Sequence, residues 1–127
     1  MPQAIGFDVV GQANVKVLNG AQVSNLFSVP INMSAMTIWV PALDATTVWR
    51  IQALGPVAPD SNPVWQDVWY WDSGTGTFKQ LISANTDVSR AVVISALALP
   101  GGVIRLATSI NQTADRQFFV WFSQVQR

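Results

Sequence analysis

The sequence predicts an all-β chain, a single-domain antiparallel β-sandwich of jelly-roll-like type, and three observations predict it. Its 127 residues suit one domain. Valine, isoleucine, threonine and aromatic residues are plentiful. Glutamate is absent and lysine occurs only at Lys16 and Lys79, so residues that usually populate exposed helical faces are scarce. Apolar runs are short, and they return after Gly, Pro, Asn or Asp at intervals near the roughly 8 to 12 residues of all-β domains. The runs expected to be strands are Ile5–Val10, Ala13–Leu18, Val23–Ser28, Met36–Val40, Thr46–Leu54, Val64–Trp71, Thr77–Ile82, Ala91–Leu97, Gly102–Thr108 and Gln117–Val125.

Residues 1–12 are expected to form an N-terminal arm or edge strand, and residues 13–127 the sandwich. Chain ends fray unless something holds them, so Met1–Val10, with Ile5 and Phe7, is expected to dock on a neighbouring subunit. Trp39 and Trp49 sit in patterned strands and are expected in the core. In Thr46–Leu54, Thr47, Trp49, Ile51 and Ala53 share the face expected to point inward, and Thr46, Val48, Arg50, Gln52 and Leu54 share the other. The segment 55–63 holds three prolines and no periodicity, as in an extended surface loop. Val64–Trp71 then places Trp65, Trp69 and Trp71 on one strand face. Asp72-Ser73-Gly74-Thr75-Gly76 is expected to turn a hairpin, its glycines supplying positive φ.

The C-terminal third begins with the apolar run Ala91–Leu97, closed by Pro100-Gly101-Gly102. In Gly102–Thr108, Ile104 and Leu106 oppose Arg105 and Ala107, the pattern of a half-buried strand. Asn111, Gln112, Asp115 and Arg116 are expected to make a structural hydrogen-bonding corner, because a buried arginine needs such partners. The last strand carries Phe118, Val120 and Phe122 on one face and Phe119 and Trp121 on the other. A strand apolar on both faces is either central in a layered fold or pressed against another molecule.

Composition restricts chemistry. The chain has no histidine or cysteine, and its seven acids are all aspartate. These absences exclude a disulfide framework, His/Cys zinc sites, a cysteine nucleophile and a Ser-His-Asp triad within the chain. No metal or cofactor is expected. The seven basic and seven acidic residues cancel, and no basic block offers a surface for direct nucleic-acid binding. No apolar run reaches the roughly 18 to 20 residues of a spanning helix, and the N-terminus lacks a basic leader, so no membrane partner is expected. So little charge gives an isolated monomer little electrostatic repulsion, and copies of itself or a partner are expected to cover its apolar surface.

Two further patterns have competing readings. Asp67 and Asp72 flank an aromatic cluster, as paired carboxylates do in glycosidases, but aspartate is a common turn and surface residue and that reading is preferred. The face of Trp65, Trp69 and Trp71 suits either stacking on sugars or packing into a sheet or subunit contact. Gly74-Thr75-Gly76 lacks the lysine and following helix of a phosphate loop.

Three segments, in order over residues 36–125, together resemble small β-sandwich structural proteins of tailed bacteriophages. They are Val40-Pro41-Ala42-Leu43-Asp44-Ala45-Thr46-Thr47-Val48-Trp49-Arg50-Ile51-Gln52-Ala53, Trp71-Asp72-Ser73-Gly74-Thr75-Gly76-Thr77-Phe78-Lys79-Gln80-Leu81, and Ile104-Arg105-Leu106-Ala107-Thr108-Ser109 through Asn111-Gln112 and Ala114-Asp115-Arg116. The sequence departs from that pattern in the Pro-rich insert, in Ser73 and in the aromatic density of the last strand. The resemblance implies a non-enzymatic virion component made in the host cytoplasm, a decoration or cement protein on the head surface. Its implied partners are the major capsid protein and its own copies, as a trimer or dimer. Ile5, Phe7, Trp65, Trp69, Trp71, Phe119 and Trp121 are the expected interface residues. A neck, tail or baseplate position, or a carbohydrate-binding module for host attachment with a glycan as ligand, is the alternative.

Overall fold

A computed structural model describes residues 7–30, 33–55, 62, 64–80, 82–83, 90–95 and 102–125. Its strands are β1 (Phe7–Val17), β2 (Phe27–Val29), β3 (Ala35–Val40), β4 (Trp49–Gly55), β5 (Val64–Asp67), β6 (Trp69–Asp72), β7 (Thr77–Gln80), β8 (Ile82–Ser83), β9 (Arg90–Ser95), β10 (Gly102–Thr108) and β11 (Arg116–Val125). No helix occurs among the described residues. The fold is all-β, in several antiparallel sheets.

The first sheet has the order β1-β11-β3-β9; the second has the order β2-β10-β4-β5, with β8 also on β4. Pairing is nested. β1 lies against β11, β2 against β10, β3 against β9, and β4 against β5 and β8, all antiparallel. The contacts of β11 with β3 and of β10 with β4 join these pairs into the two sheets.

One core is drawn from the inner faces of both sheets. The first sheet contributes Val15, Val17, Met36, Ile38, Val40, Ile94, Phe118, Val120 and Phe122; the second contributes Phe27, Trp49, Ile51, Ile104 and Leu106. Each side chain of this size removed from water stabilises by about 1.5 to 3 kcal/mol. Rings from the two sheets meet, Trp49 edge to face on Phe118 with centroids 6.3 Å apart and Phe27 tilted against Phe122 at 6.2 Å. Thr47, Trp49 and Ile51 are buried, as their alternation predicts. Trp39 is a correction. Met36, Ile38 and Val40 take the inner face of β3, so Trp39 faces out by period-two geometry and is 42% exposed.

The first two expected runs are one strand. The register of β1 on β11 shifts between Val9 and Gly11, a β-bulge that absorbs Val10 without ending the strand. Residues 7–12 are therefore part of β1, an edge strand of the first sheet, and Phe7 pairs with Val125. Ile5, with residues 1–6, lies outside the described residues.

The expected strand Val64–Trp71 divides, and the reason is an extrusion. β5 pairs with β4 as far as Gln52 opposite Asp67, and buried Val68 donates its amide to the Ile51 carbonyl at 3.0 Å. The next residue of β4, Arg50, pairs with Ile82 of β8 instead of with residue 69. β5 and β8 are thus two halves of one edge strand, and residues 69–80 are pushed out of it. The extruded segment closes on itself as the β6–β7 hairpin, with Trp69 opposite Gln80 and Trp71 opposite Phe78. Asp72 accepts the Gly74 amide through its side chain at 2.9 Å, and Gly76 takes φ 66°, which its missing Cβ permits.

An exposed edge strand invites pairing with another chain. On β1 the Asn14–Lys16 stretch of that edge is covered by one side chain, beside the backbone bridge of Val17 with Ser24: Asn25 accepts the Lys16 amide at 2.8 Å and donates to the Asn14 carbonyl at 3.1 Å. Its carboxamide replaces the peptide group of a neighbouring strand.

The β3–β4 connection holds a strained position. The Thr47 amide reaches the Asp44 carbonyl at 3.1 Å, closing a turn in which Thr46 has φ 66°. A β-branched residue at positive φ costs about 1 to 3 kcal/mol, and asparagine tolerates that conformation better. Thr46→Asn is expected to raise the unfolding free energy by about 1 kcal/mol in denaturant titration. An unchanged or lower value contradicts the strain.

Candidate functional site

Chemistry-bearing and partner-seeking residues collect in three places: the outer face of each sheet with the extruded hairpin, and the corner between β10 and β11. On the first sheet, register places Phe119 beside Trp39 and Trp121 beside Thr37, with Val93 on the far side of Thr37. These side chains point away from the core. Phe119 is 48% exposed, Trp121 39% and Val93 68%. The rings of Trp39 and Trp121 meet edge to face at 5.6 Å. The second apolar face of β11 is therefore in solvent, widened by Trp39 and Val93, which the sequence reading did not include. The alternation of β3 around Ile38 was the signal for Trp39.

On the second sheet the outer face carries a polar row beside Leu54 and Trp65. Arg105, Gln52 and Asp67 lie side by side on β10, β4 and β5. Arg105 Nε donates to Gln52 Oε1 at 2.8 Å, Gln52 Nε2 to Asp67 Oδ1 at 3.0 Å, and Arg50 Nε to the same oxygen at 2.8 Å. The Arg105 guanidinium lies over the ring of Trp65, 4.3 Å from its centroid, within cation–π range. Trp65 is half-buried, and the expected common face of Trp65, Trp69 and Trp71 is not one strand face. Trp65 belongs to the sheet, while Trp69 and Trp71 belong to the hairpin across the Val68 break. On the hairpin, Trp69, Trp71 and Phe78 share one face and are 59%, 57% and 68% exposed, with Trp71 and Phe78 edge to face at 5.1 Å.

Asp67 and Asp72 are both committed to structural partners. Partial burial pushes the Asp67 carboxyl up, but hydrogen bonds from Gln52, Arg50 and Gln80 outweigh it and hold it below the ordinary carboxylate range. Hydrogen bonds from Lys79 and the Gly74 amide lower Asp72 in the same direction, and its ion pair with Lys79 spans 2.8 Å. Both carboxyls are thus held low by structural partners, whereas a glycosidase pair needs one carboxyl kept protonated. No group of three or more potential metal-ligating His, Cys, Asp or Glu side chains occurs among the described residues.

The polar corner is built around buried Gln112. Its Oε1 accepts the Asp44 amide at 3.0 Å, and its Nε2 donates to Thr47 Oγ1 at 3.1 Å and the Ile110 carbonyl at 3.2 Å. Its backbone pairs with Gly20 and Ala21. Asp44 accepts from the Thr113 amide and hydroxyl at 2.8 and 2.9 Å and pairs with Arg116. Asp115 accepts the Asn19 amide at 2.8 Å, while Asn111 is exposed. The sequence reading placed Gln112, Asp115 and Arg116 in this corner but missed Asp44, whose partners lie about seventy residues downstream.

A scan against protein-family models found no match to this chain, and a search of curated proteins found none either.

Two outcomes follow from the corner. Gln112→Leu keeps the bulk but strands the Asp44 amide and the Thr47 hydroxyl, and is expected to cost about 2 to 4 kcal/mol in chemical unfolding. Burial raises the Asp44 carboxyl, but Thr113 and Arg116 together lower it below its ordinary value. A depressed carboxylate contributes stability that is complete above its unfolded pKa and is lost as pH falls through its folded one. Asp44→Asn is therefore expected to be less stable than the parent at neutral pH, with the gap narrowing below about pH 4. A gap independent of pH rules out the ion pair as the source.

Proposed function

We propose that this chain is a virion structural protein of jelly-roll-like fold, which decorates a tailed-phage head by binding the major capsid protein and copies of itself. The observation that carries this reading is the outer face of the first sheet, where Phe119, Trp121, Trp39 and Val93 form an exposed apolar patch on adjacent strands. Contiguous apolar surface of this kind marks contact with another macromolecule, and aromatic rings are the side chains enriched at such contacts.

Two features support the fold and assembly parts of the proposal. Counting β5 and β8 as one strand and setting the hairpin aside leaves eight strands, paired first with eighth, second with seventh, third with sixth and fourth with fifth. That nesting is what a long hairpin rolled into two sheets produces, and rolled double sheets are common in viral capsid proteins. The protein also has little charge to keep such a surface apart from its neighbours. A protein of the neck, tail or baseplate would use the same patch at a different place in the particle.

The test is capsid occupancy. Trp121→Glu puts a charge in the middle of the patch without touching the core. It is expected to lower binding to capsids of the same genome's major capsid protein at least about tenfold, since a specific contact needs roughly 800 Å² per partner. Its unfolding temperature should stay near that of the parent. Occupancy equal to the parent's sinks the assignment of this face. Labelling in whole particles separates the positions, a dispersed shell for decoration and a single focus for a tail part.

A further inference from the structure

We propose that the outer face of the second sheet is a binding site for an acidic saccharide, a sugar ring bearing a carboxylate. The inference goes beyond the capsid reading and uses the opposite face of the molecule.

The charge on that face is unbalanced. Arg50 and Arg105 both approach the Gln52–Asp67 pair, but among the described residues only one carboxylate is present there, and Arg50 already engages it. Arg105 spends its Nε on a neutral amide oxygen and stacks its plane on Trp65. Its terminal nitrogens meet no carboxylate among the described residues. Burial and the repulsion of the nearby Arg50 charge both lower the Arg105 pKa. An incoming carboxylate relieves that repulsion and accepts the paired N–H donors that a guanidinium presents as a fork. Trp65 behind the plane and Gln52 at its edge hold the fork in position before any ligand arrives, which reduces the ordering cost of binding.

The second half of the argument is the hairpin. β5 and β8 pair with Gln52 and Arg50 of β4, so the hairpin is rooted beside the arginine pair, and its Gln80 face includes a donor that helps hold the Asp67 carboxyl low. Trp69 sits directly opposite Gln80 in the β6–β7 ladder and shares that face, as do Trp71 and Phe78. Flat rings that remain more than half exposed beside planar amides and guanidinium groups suit the C–H face and hydroxyls of a sugar ring. A neutral sugar uses the rings and leaves the excess charge uncompensated. An acidic peptide answers the charge and has no flat ring to lay on Trp69. A carboxylated sugar does both.

The experiment titrates the intact protein with oligogalacturonate, with a neutral malto-oligosaccharide of equal length and with poly-glutamate, reading intrinsic tryptophan fluorescence. Saturable binding of oligogalacturonate is expected, at least about tenfold tighter than the neutral oligomer and weakened by salt. Arg105→Gln should remove about tenfold of that affinity, and Trp69→Ala several-fold, each with an unfolding temperature close to the parent's. Equal affinity for the neutral sugar overturns the proposal, as does full affinity in Arg105→Gln or no binding of oligogalacturonate. Poly-glutamate binding as tightly as the sugar overturns it in favour of an acidic protein surface. Arg105→Gln and Trp69→Ala leave the Trp121 face intact and Trp121→Glu leaves this face intact, so the failure of this proposal and the failure of the capsid reading are distinguishable.

Discussion

The contact of Trp49 with Phe118 across the space between the sheets is the interaction on which the other features depend. Neither sheet can bury a face alone, and these rings close the gap in its middle. Phe118 lies on β11, which joins β1 to β3, and Trp49 lies on β4, which joins β10 to the edge strand. Fixing these two central strands face to face fixes which side of every neighbour is inner and which is outer. Both the aromatic patch and the arginine face follow from that choice. The nested pairing also joins distant parts of the chain, Phe7 with Val125 at the extreme. Such closure gains its contacts late and favours slow folding.

The two outer faces differ in kind. The first sheet shows rings and aliphatic side chains, with Thr37 between Trp121 and Val93. The second shows a hydrogen-bonded row of Arg105, Gln52 and Asp67. A molecule with one apolar outer face and one that carries a polar row can be seated through the first and still present the second to solvent. Charge is distributed to match. Among described side chains the ion pairs lie at the corner, on the second sheet and on the hairpin, none of them on the aromatic patch.

Legibility in the sequence followed the range of the physics. The inward face of β4 was readable because alternation is local: Thr47, Trp49 and Ile51 obey it without reference to any partner. The double apolar face of β11 was readable for the same reason. Trp39 was misplaced because its hydrophobicity outweighed the position that Met36, Ile38 and Val40 assign to it. The break at Val68 left no trace, since Val68-Trp69-Tyr70-Trp71 is uniformly strand-prone and only the competing pairing of Arg50 with Ile82 divides it. Gln112 looked like part of a corner, but its partner Asp44 is brought there by the tertiary fold. Asn25 gave no signal, because an asparagine in a loop looks the same whether or not it covers an edge.

The extruded hairpin separates two histories that usually share one stretch of chain. Its roots rejoin the same edge of β4 in register, so the body meets the same two half-strands whatever lies between them. Length and composition within residues 69–80 can then vary without altering what the body pairs, whereas Val68 and Ile82 are fixed by their pairing with β4. What the hairpin touches can change by exchanging this insert, with the two sheets left as they are.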